Sequence, residues 1–251
     1  MRNKKTAIWI GVVIIVLAAA VYYFYFMPSQ TGNIGESVVL EEEEPGESLE
    51  PFEEIEPLDV NLSDSDAIVR KLIQKLSSYP ALLRWLATDD IIRRFVTATD
   101  LIAKGESPRK PLNFIDITGE FPTQELDGKI YIDPDGYGRY SRVAGAIASL
   151  DAKGCATLYK QLQLPIQQAY REMGYPEGNF DVTLKMAVSN LLDTPVVDGT
   201  VYLEKDVLTY TLADPELEGL NAAQKHFLRI GPENMKIIQA KLREIMRYLD
   251  L

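Results

Sequence analysis

Basic side chains close to predicted helix ends are the residues of this sequence best suited to binding a ligand. Five of them are Arg93, Arg94, Arg139, Lys225 and Arg229. A helix N-terminus, such as the one predicted at residues 231–234, attracts anions, and guanidinium groups nearby add to that attraction. We therefore take these five residues as a candidate site for an anion or a protein partner. The alternative for Arg93, Arg94 and Arg229 is structural: these residues pair with internal acids such as Asp100, Asp214 or Glu233 and fix helix packing.

The sequence contains few residues suited to nucleophilic catalysis or to metal binding. His226 is the only histidine and Cys155 the only cysteine, which argues against a zinc site and excludes an internal disulfide. No Gly-x-Ser-x-Gly motif accompanies His226. We interpret His226 as a residue at the edge of the core and Cys155 as a small apolar residue packed on a helix. The sequence predicts no metal and no cofactor.

An acidic turn at Asp133-Pro134-Asp135-Gly136 is similar to the start of a calcium loop, but the acid that should end the loop is replaced by Ala144. A turn rich in Asp, Pro and Gly is the simpler interpretation. The same acids could form a catalytic pair with Asp116 or Glu120, as in glycoside hydrolases. This alternative stays open, because a sequence does not fix the distance between two carboxylates.

Apolar residues at helical spacing predict that these side chains are carried by a helical domain. A helix capped by Ser63, a second helix capped by Asp89 or Asp90 and a short turn between them are expected to form a helical hairpin. Further helices are predicted at residues 139–150, 153–173 with a kink or break at Pro165, 179–192, 214–229 and from 233 onward.

Strands are predicted to be few and short. Asp127-Gly128 precedes an alternating run at residues 129–132, which is typical of a β-hairpin. A second hairpin is predicted from residues 201–203 and 207–211. The predicted fold class is therefore mainly α: one transmembrane helix plus a multi-helix soluble domain with one or two short β-hairpins.

The transmembrane helix is predicted at residues 7–27, which are apolar or aromatic throughout. Their length matches the roughly 30 Å hydrocarbon core of a bilayer. Basic residues precede this segment, and the aromatic residues 22–26 end it, as in the interfacial belt of a retained signal anchor. A cleaved signal peptide is the alternative, because the small residues 18–20 could precede a cleavage site.

Residues 28–57 are predicted to be a disordered acidic tether. They contain ten glutamates and no lysine or arginine, and such composition cannot support a packed core. The positive-inside rule then places residues 1–6 in the cytoplasm and the helical domain, residues 58–251, on the other side of the membrane. We expect a bacterial inner-membrane protein whose C-terminal domain is periplasmic.

Several stretches of the soluble part have the residues of a known family. They are Ile92–Val96, Tyr137–Tyr140, Ala169–Gly178, Ala213–Glu218 and Gln224–Asn234. Together they resemble the bacterial membrane-anchored family catalogued as domain of unknown function 3014, over roughly residues 58–249. The resemblance implies an N-terminal membrane anchor ahead of a helical domain, and it implies no activity and no catalytic residues.

The charge distribution narrows the class of partner. The net charge is −11, and most of the acidic surplus lies in the tether, so the domain lacks the basic surplus typical of nucleic-acid binding. We expect a membrane-anchored, non-enzymatic interaction or binding module of the cell envelope, whose partner is an envelope protein or an anionic envelope component. The alternative is a hydrolase that acts on peptidoglycan or polysaccharide through paired carboxylates.

Overall fold

A computed structural model describes residues 56–249 of the chain, apart from residues 116, 118–120 and 207–208. The expected anchor at residues 7–27 and nearly all of the expected tether lie outside the described residues. Within the described part, no helix is both long enough and apolar enough to cross a membrane.

The described chain is mostly helical, as predicted. Its α-helices are α1 (Asp66–Leu76), α2 (Pro80–Trp85), α3 (Ile91–Ala103), α4 (Ser141–Ala148), α5 (Ala152–Gln161), α6 (Gln163–Glu172), α7 (Phe180–Leu192), α8 (Pro215–Glu218), α9 (Ala222–Leu228) and α10 (Pro232–Leu249). Two 3-10 helices are Leu62–Asp64 and Pro134–Tyr140.

Both predicted hairpins are present, and they join into a single antiparallel sheet. Its strands, in spatial order, are β1 (Thr123–Leu126), β2 (Lys129–Ile132), β3 (Tyr202–Lys205) and β4 (Tyr210–Leu212). Asp127 and Gly128 have φ angles of 52° and 74°, so the β1–β2 turn takes the left-handed conformation at both central residues that the Asp-Gly pair favours. Ile130 lies opposite Leu203, which unites the hairpins.

Apolar side chains gather in three clusters. The largest lies among α1, α3, α5, α6, α7 and the end of α10, around Val96 and Phe180, which are almost completely buried. A second cluster covers one face of the sheet and includes Leu203 and Leu212. The third joins α4, α9 and α10 and includes Phe227.

The predicted start of the first helix was wrong. Asn61, rather than Ser63, is the capping residue: its side chain accepts a hydrogen bond from the Ser63 amide at 2.9 Å and begins the first 3-10 helix. The α-helix follows only at Asp66. The predicted helical hairpin was also wrong, because α3 packs chiefly against α7 and α6 instead of α1.

Each of two long predicted helices is replaced in the structure by two shorter helices. The segment 153–173 breaks at Leu162, and Pro165 lies in the first turn of α6, where a proline needs no amide partner. In the segment 214–229, Asp214 caps α8 as predicted, but α9 begins separately because Asn221 and Gln224 form a capping box. The predicted helices at 179–192 and from 233 onward are confirmed as α7 and α10.

Candidate functional site

A cleft of about 1280 Å³ opens beside the sheet, and α4, α9 and α10 contribute to its opposite side. This volume exceeds the range of about 300–1,000 Å³ usual for small-molecule pockets. Apolar side chains make up much of the lining, among them Ile147, Leu191, Leu203, Leu212, Phe227 and Ile238. The cleft therefore offers a large apolar surface between the second apolar cluster, on the sheet, and the third, which joins α4, α9 and α10.

Positive charge dominates the ionised side chains of the cleft. Arg109, Arg139, Lys205 and Arg229 line it, and Asp206 is the single carboxylate among the described lining residues. Arg109, Lys205 and Arg229 are exposed to solvent, whereas Arg139 is half-buried. The cations thus lie toward the mouth, in a protein whose overall charge is negative.

Arg139 is positioned by the 3-10 helix Pro134–Tyr140. Asp133 caps this helix by accepting a hydrogen bond from the Asp135 amide at 3.0 Å. The buried Asn234 side chain donates to the Tyr137 carbonyl at 3.0 Å and to the Ile230 carbonyl at 2.8 Å. These bonds tie the segment that carries Arg139 to the start of α10.

Arg229 is positioned by the sharp turn between α9 and α10. Gly231 has a φ of +87°, and a Cβ atom there would lie 2.4 Å from the ring of Tyr137, so the turn needs glycine for both reasons. The Arg229 guanidinium lies over the Phe121 ring at 5.4 Å from its centroid. Within the part of the chain that the structure describes, Arg229 has no carboxylate at ion-pair distance.

His226 lies in the cleft within electrostatic reach of two of its cations. Burial lowers the pKa of its imidazole, and the positive charges of Arg229 and Arg109 lower it further, so the ring is held neutral at pH 7. Ser107 Oγ is 2.8 Å from His226 Nδ1. No described carboxylate bonds to the other ring nitrogen, so the pair lacks the third group that orients a catalytic histidine. We assign it no catalytic role.

A polar junction brings Ser107 to His226. The Ala223 amide donates to the Gly105 carbonyl at 3.0 Å, which joins α9 to the chain just after α3. Asn190 Nδ2 donates to the Ile102 carbonyl at 2.7 Å, and Asn221 Nδ2 donates to Asn190 Oδ1 at 2.9 Å. This junction fixes the end of α3, the end of α7 and the start of α9 relative to one another.

The five basic residues singled out in the sequence separate into two groups. Arg139 and Arg229 both line the cleft. Arg93 instead forms ion pairs with Glu172 at 2.9 Å and Asp90 at 3.4 Å, and hydrogen bonding to Glu172 is the main cause of its raised pKa.

Arg94 and Lys225 also make contacts within the domain. Arg94 donates to the Asp89 carbonyl at 2.8 Å and to the Pro111 carbonyl and Asn113 Oδ1, both at 3.0 Å. Lys225 pairs with Glu218 at 2.7 Å, and this bond lowers the pKa of that carboxyl. Arg93 thus pairs with internal acids, as in the structural interpretation, although these acids are Asp90 and Glu172. Arg94 is also held within the domain, but by backbone carbonyls and the Asn113 amide oxygen and not by an acid.

The cleft residues missed in the sequence include Ser107, Arg109 and Lys205. The first two lie in an irregular stretch after α3 that shows no helical or strand periodicity, so no face could be assigned to them. The short Gly105-to-Pro108 segment was the only local sign of a turn that redirects the chain. Lys205 ends a four-residue strand, which is too short to identify the side that its last residue takes.

Other candidates for chemistry lie apart from the cleft lining. Cys155 is half-buried on α5, where burial raises the pKa of its thiol to about 11 and disfavours the reactive thiolate. Among the described residues, no group of three or more His, Cys, Asp or Glu side chains is arranged to hold a metal ion. Asp116 and Glu120, the possible partners of a carboxylate pair, lie outside the described residues.

Comparison with known families gives one match. The sequence model of a family described as protein of unknown function (DUF3014) matches residues 91–246. The chain belongs to this family.

The DUF3014 match begins with α3 and includes every lining residue of the cleft, whereas α1 and α2 precede it. The resemblance expected over residues 58–249 is thus shown over a shorter range. No curated protein and no solved structure matches the chain.

Proposed function

We propose that this DUF3014 protein is a non-enzymatic binding module whose cleft takes an anionic component of the cell envelope. The observation that carries the proposal is the charge of the cleft. Arg109, Arg139, Lys205 and Arg229 line it against Asp206 alone among the described lining residues. The domain that contains the cleft has the opposite balance, with 27 acidic and 23 basic residues at positions 58–251.

Such a reversal of charge favours binding over a purely structural use of Arg229. Arg93 is paired with acids, whereas Arg229 has no carboxylate at ion-pair distance among the described residues. A cleft with one sign of charge and low-dielectric walls concentrates the electric field, which raises the local concentration of an oppositely charged ligand. The guanidinium of Arg229 is also partly exposed and within reach of an incoming carboxylate or phosphate.

The proposal includes a location in the envelope. The apolar segment at residues 7–27, the bases before it and the acidic stretch after it support a signal anchor with residues 58–251 in the periplasm. Binding at the cleft would then take place at some distance from the membrane, because a 30-residue stretch reaches up to about 100 Å when extended.

The hydrolase alternative gains no support from the cleft. A mechanism with paired carboxylates needs two acids that face one site, and Asp206 is the single acid among the described lining residues. Asp133 does not line the cleft and is engaged as a helix cap. No specific observation therefore favours an enzyme over a binding module.

The test is affinity capture from envelope extract with the full 251-residue chain. The cleft variant carries Arg139→Ala and Arg229→Ala. The control variant carries Arg243→Ala and Arg247→Ala, which remove the same charge from exposed positions of α10 that do not line the cleft. Thermal unfolding of all three proteins verifies that they fold.

We expect an anionic component to be retained by the native protein and the control and to be lost from the cleft variant. Each arginine contributes charge-assisted hydrogen bonds, so the double change should weaken binding by at least about tenfold. Equal retention by the cleft variant, or no retained anionic component from any of the three, would overturn the proposal.

A further inference from the structure

The apolar part of the cleft identifies the class of ligand more closely. Resting on the proposed function, we infer that the ligand is an amphiphile: an anionic head group, phosphate or carboxylate, joined to an apolar chain. The head group binds the cations at the mouth, and the chain lies along the apolar lining. The inference goes beyond the charge of the site, because an anion without a chain would leave half-buried apolar side chains such as Ile147 and Leu191 in contact with water.

Burial separates the two halves of the site. Leu203, Leu212, Phe227 and Ile238 each expose less than a tenth of their surface, and they come from two strands and two helices that converge on the cleft. Arg109, Lys205 and Arg229 are exposed. An apolar interior with a cationic mouth is complementary to a molecule that is apolar at one end and negatively charged at the other.

The cations that would hold the head group line the same cleft as His226. Arg109 and Arg229 both lie near enough to His226 for their charges to lower the pKa of its imidazole. His226 is within hydrogen-bond distance of Ser107, and all four residues line the cleft. Two guanidinium groups, together with the one donor that the Ser107–His226 pair keeps free of its own hydrogen bond, supply enough donors for the several oxygens of a phosphate or carboxylate.

The inner lining supplies the surface that an apolar chain needs. Ile147 on α4 and Leu191 on α7 are half-buried and line the cleft beside the buried Ile238. A polysaccharide would require polar partners along this lining, where its hydroxyl groups would otherwise lose hydrogen bonds with water. A hydrocarbon chain loses none and gains from leaving water.

The experiment is photo-crosslinking on the full chain in native membranes. The probe is a fatty acid that carries a diazirine near the end of its chain, and the labelled peptides are identified by mass spectrometry. Competitors are the unlabelled fatty acid, a lysophosphatidic acid of the same chain length, the alcohol of the same chain length and inorganic phosphate alone. The first two separate carboxylate from phosphate head groups, and the last two each lack one half of the proposed ligand.

We expect labelling on peptides that contain Ile147, Leu191 or Ile238. Both anionic amphiphiles should compete, whereas the alcohol and inorganic phosphate should compete at least tenfold less well. Shortening the competitor's chain should weaken competition by about fourfold for each methylene removed from the lining. Arg139→Ala with Arg229→Ala should reduce labelling at these peptides, and Arg243→Ala with Arg247→Ala should not.

Three results would overturn the inference: no labelling of cleft peptides, equal competition by the alcohol, or equal competition by inorganic phosphate. If the capture experiment still retains an anionic component through Arg139 and Arg229, the binding function stands and only the amphiphile is rejected. If neither experiment responds to those arginines, both proposals fail.

Discussion

The carboxylate of Asp66, at the start of α1, caps the N-terminus of α3 through Asp90. Its oxygens accept hydrogen bonds from the backbone amides of Asp90 at 2.8 Å and Ile91 at 3.0 Å. Asp90 occupies the capping position, but its φ is 58° and its own side chain makes no capping bond. The cap therefore comes from another helix, and it joins α1 to the helix that begins the family match.

Replacing Asp66 by alanine should lower the free energy of unfolding by about 1–2 kcal/mol, because two helix-end amides lose their acceptor. Asp66→Asn should cost less, since an amide oxygen can still accept one of the bonds. Urea unfolding measures both changes. Asp64→Ala is the matched control, because Asp64 is exposed in the preceding 3-10 helix. Equal losses for Asp66→Ala and Asp64→Ala would contradict the assigned cap.

Arg94→Ala should loosen the wall of the cleft formed by the residues after α3. The variant loses bonds to the Pro111 carbonyl and to Asn113, and the contact of the guanidinium with the Phe114 ring. Amide hydrogen exchange of residues 107–115 should become faster, and ligand affinity should fall even though Arg94 does not line the cleft. The measurement is hydrogen exchange followed by mass spectrometry.

Arg93→Ala provides the comparison for this test. Arg93 is the neighbouring arginine, and its ion pairs with Asp90 and Glu172 are largely open to solvent, where such pairs contribute little. Exchange at residues 107–115 should stay unchanged in this variant. If the two variants accelerate exchange equally, Arg94 does not hold that wall.

Gly231→Ala should strongly destabilise the protein. The substitution forces an alanine into a left-handed conformation and brings its Cβ to 2.4 Å from the Tyr137 ring. We expect a loss of at least about 2 kcal/mol in the free energy of unfolding. Gly138→Ala is the control, because a Cβ there meets nothing within 4 Å. Thermal and urea unfolding that rank the two variants equally would show that the α9–α10 turn can relax.

His226 should link both stability and binding to pH. Its folded pKa lies below the unfolded value of about 6.5, so the folded state binds this proton less readily than the unfolded state. The stabilisation from the neutral ring is fully present above pH 6.5 and is lost as the pH falls from there through the folded pKa. His226→Gln should remove this part of the pH dependence of urea unfolding.

Binding should respond to pH in the opposite direction. An anion bound beside His226 favours the protonated ring, so its affinity should rise as the pH falls below about 6.5. Isothermal titration of the native protein and His226→Gln measures the effect. An affinity that decreases as the pH is lowered would place the anion away from His226. The same conclusion would follow if the affinity of His226→Gln had the same pH dependence as that of the native protein.

The features predicted correctly from the sequence are those whose signal is local. Asp127-Gly128 specifies a hairpin turn by its own conformational preferences, and the spaced apolar residues of α10 specify a helix with one buried face. Asp214 acts as a cap on the residues that directly follow it. Each of these signals is contained within one turn or one helix, so tertiary contacts did not override it.

The features that were missed depend on residues far apart in the sequence. The cap of α3 belongs to Asp66, and nothing near Asp90 reveals it. Arg93 and Arg94 are adjacent residues of the same type, and nothing in the sequence distinguishes their roles. In the structure Arg93 pairs with Glu172 of α6, whereas Arg94 binds the Pro111 carbonyl in the loop that follows α3. Arg109, Arg139 and Arg229 come to line one cleft only when the sheet and three separate helices are assembled.

The pairing of β2 with β3 also determines when the cleft can exist. The two strands are adjacent in the sheet, but about 70 residues, including four helices, separate them along the chain, so their pairing must close a long loop. During synthesis the β1–β2 hairpin can form early, whereas β3 is made only after all four of these helices. The nascent protein therefore has no cleft while these helices are being made, and it acquires one only once β3, β4 and the helices that follow them are available for folding.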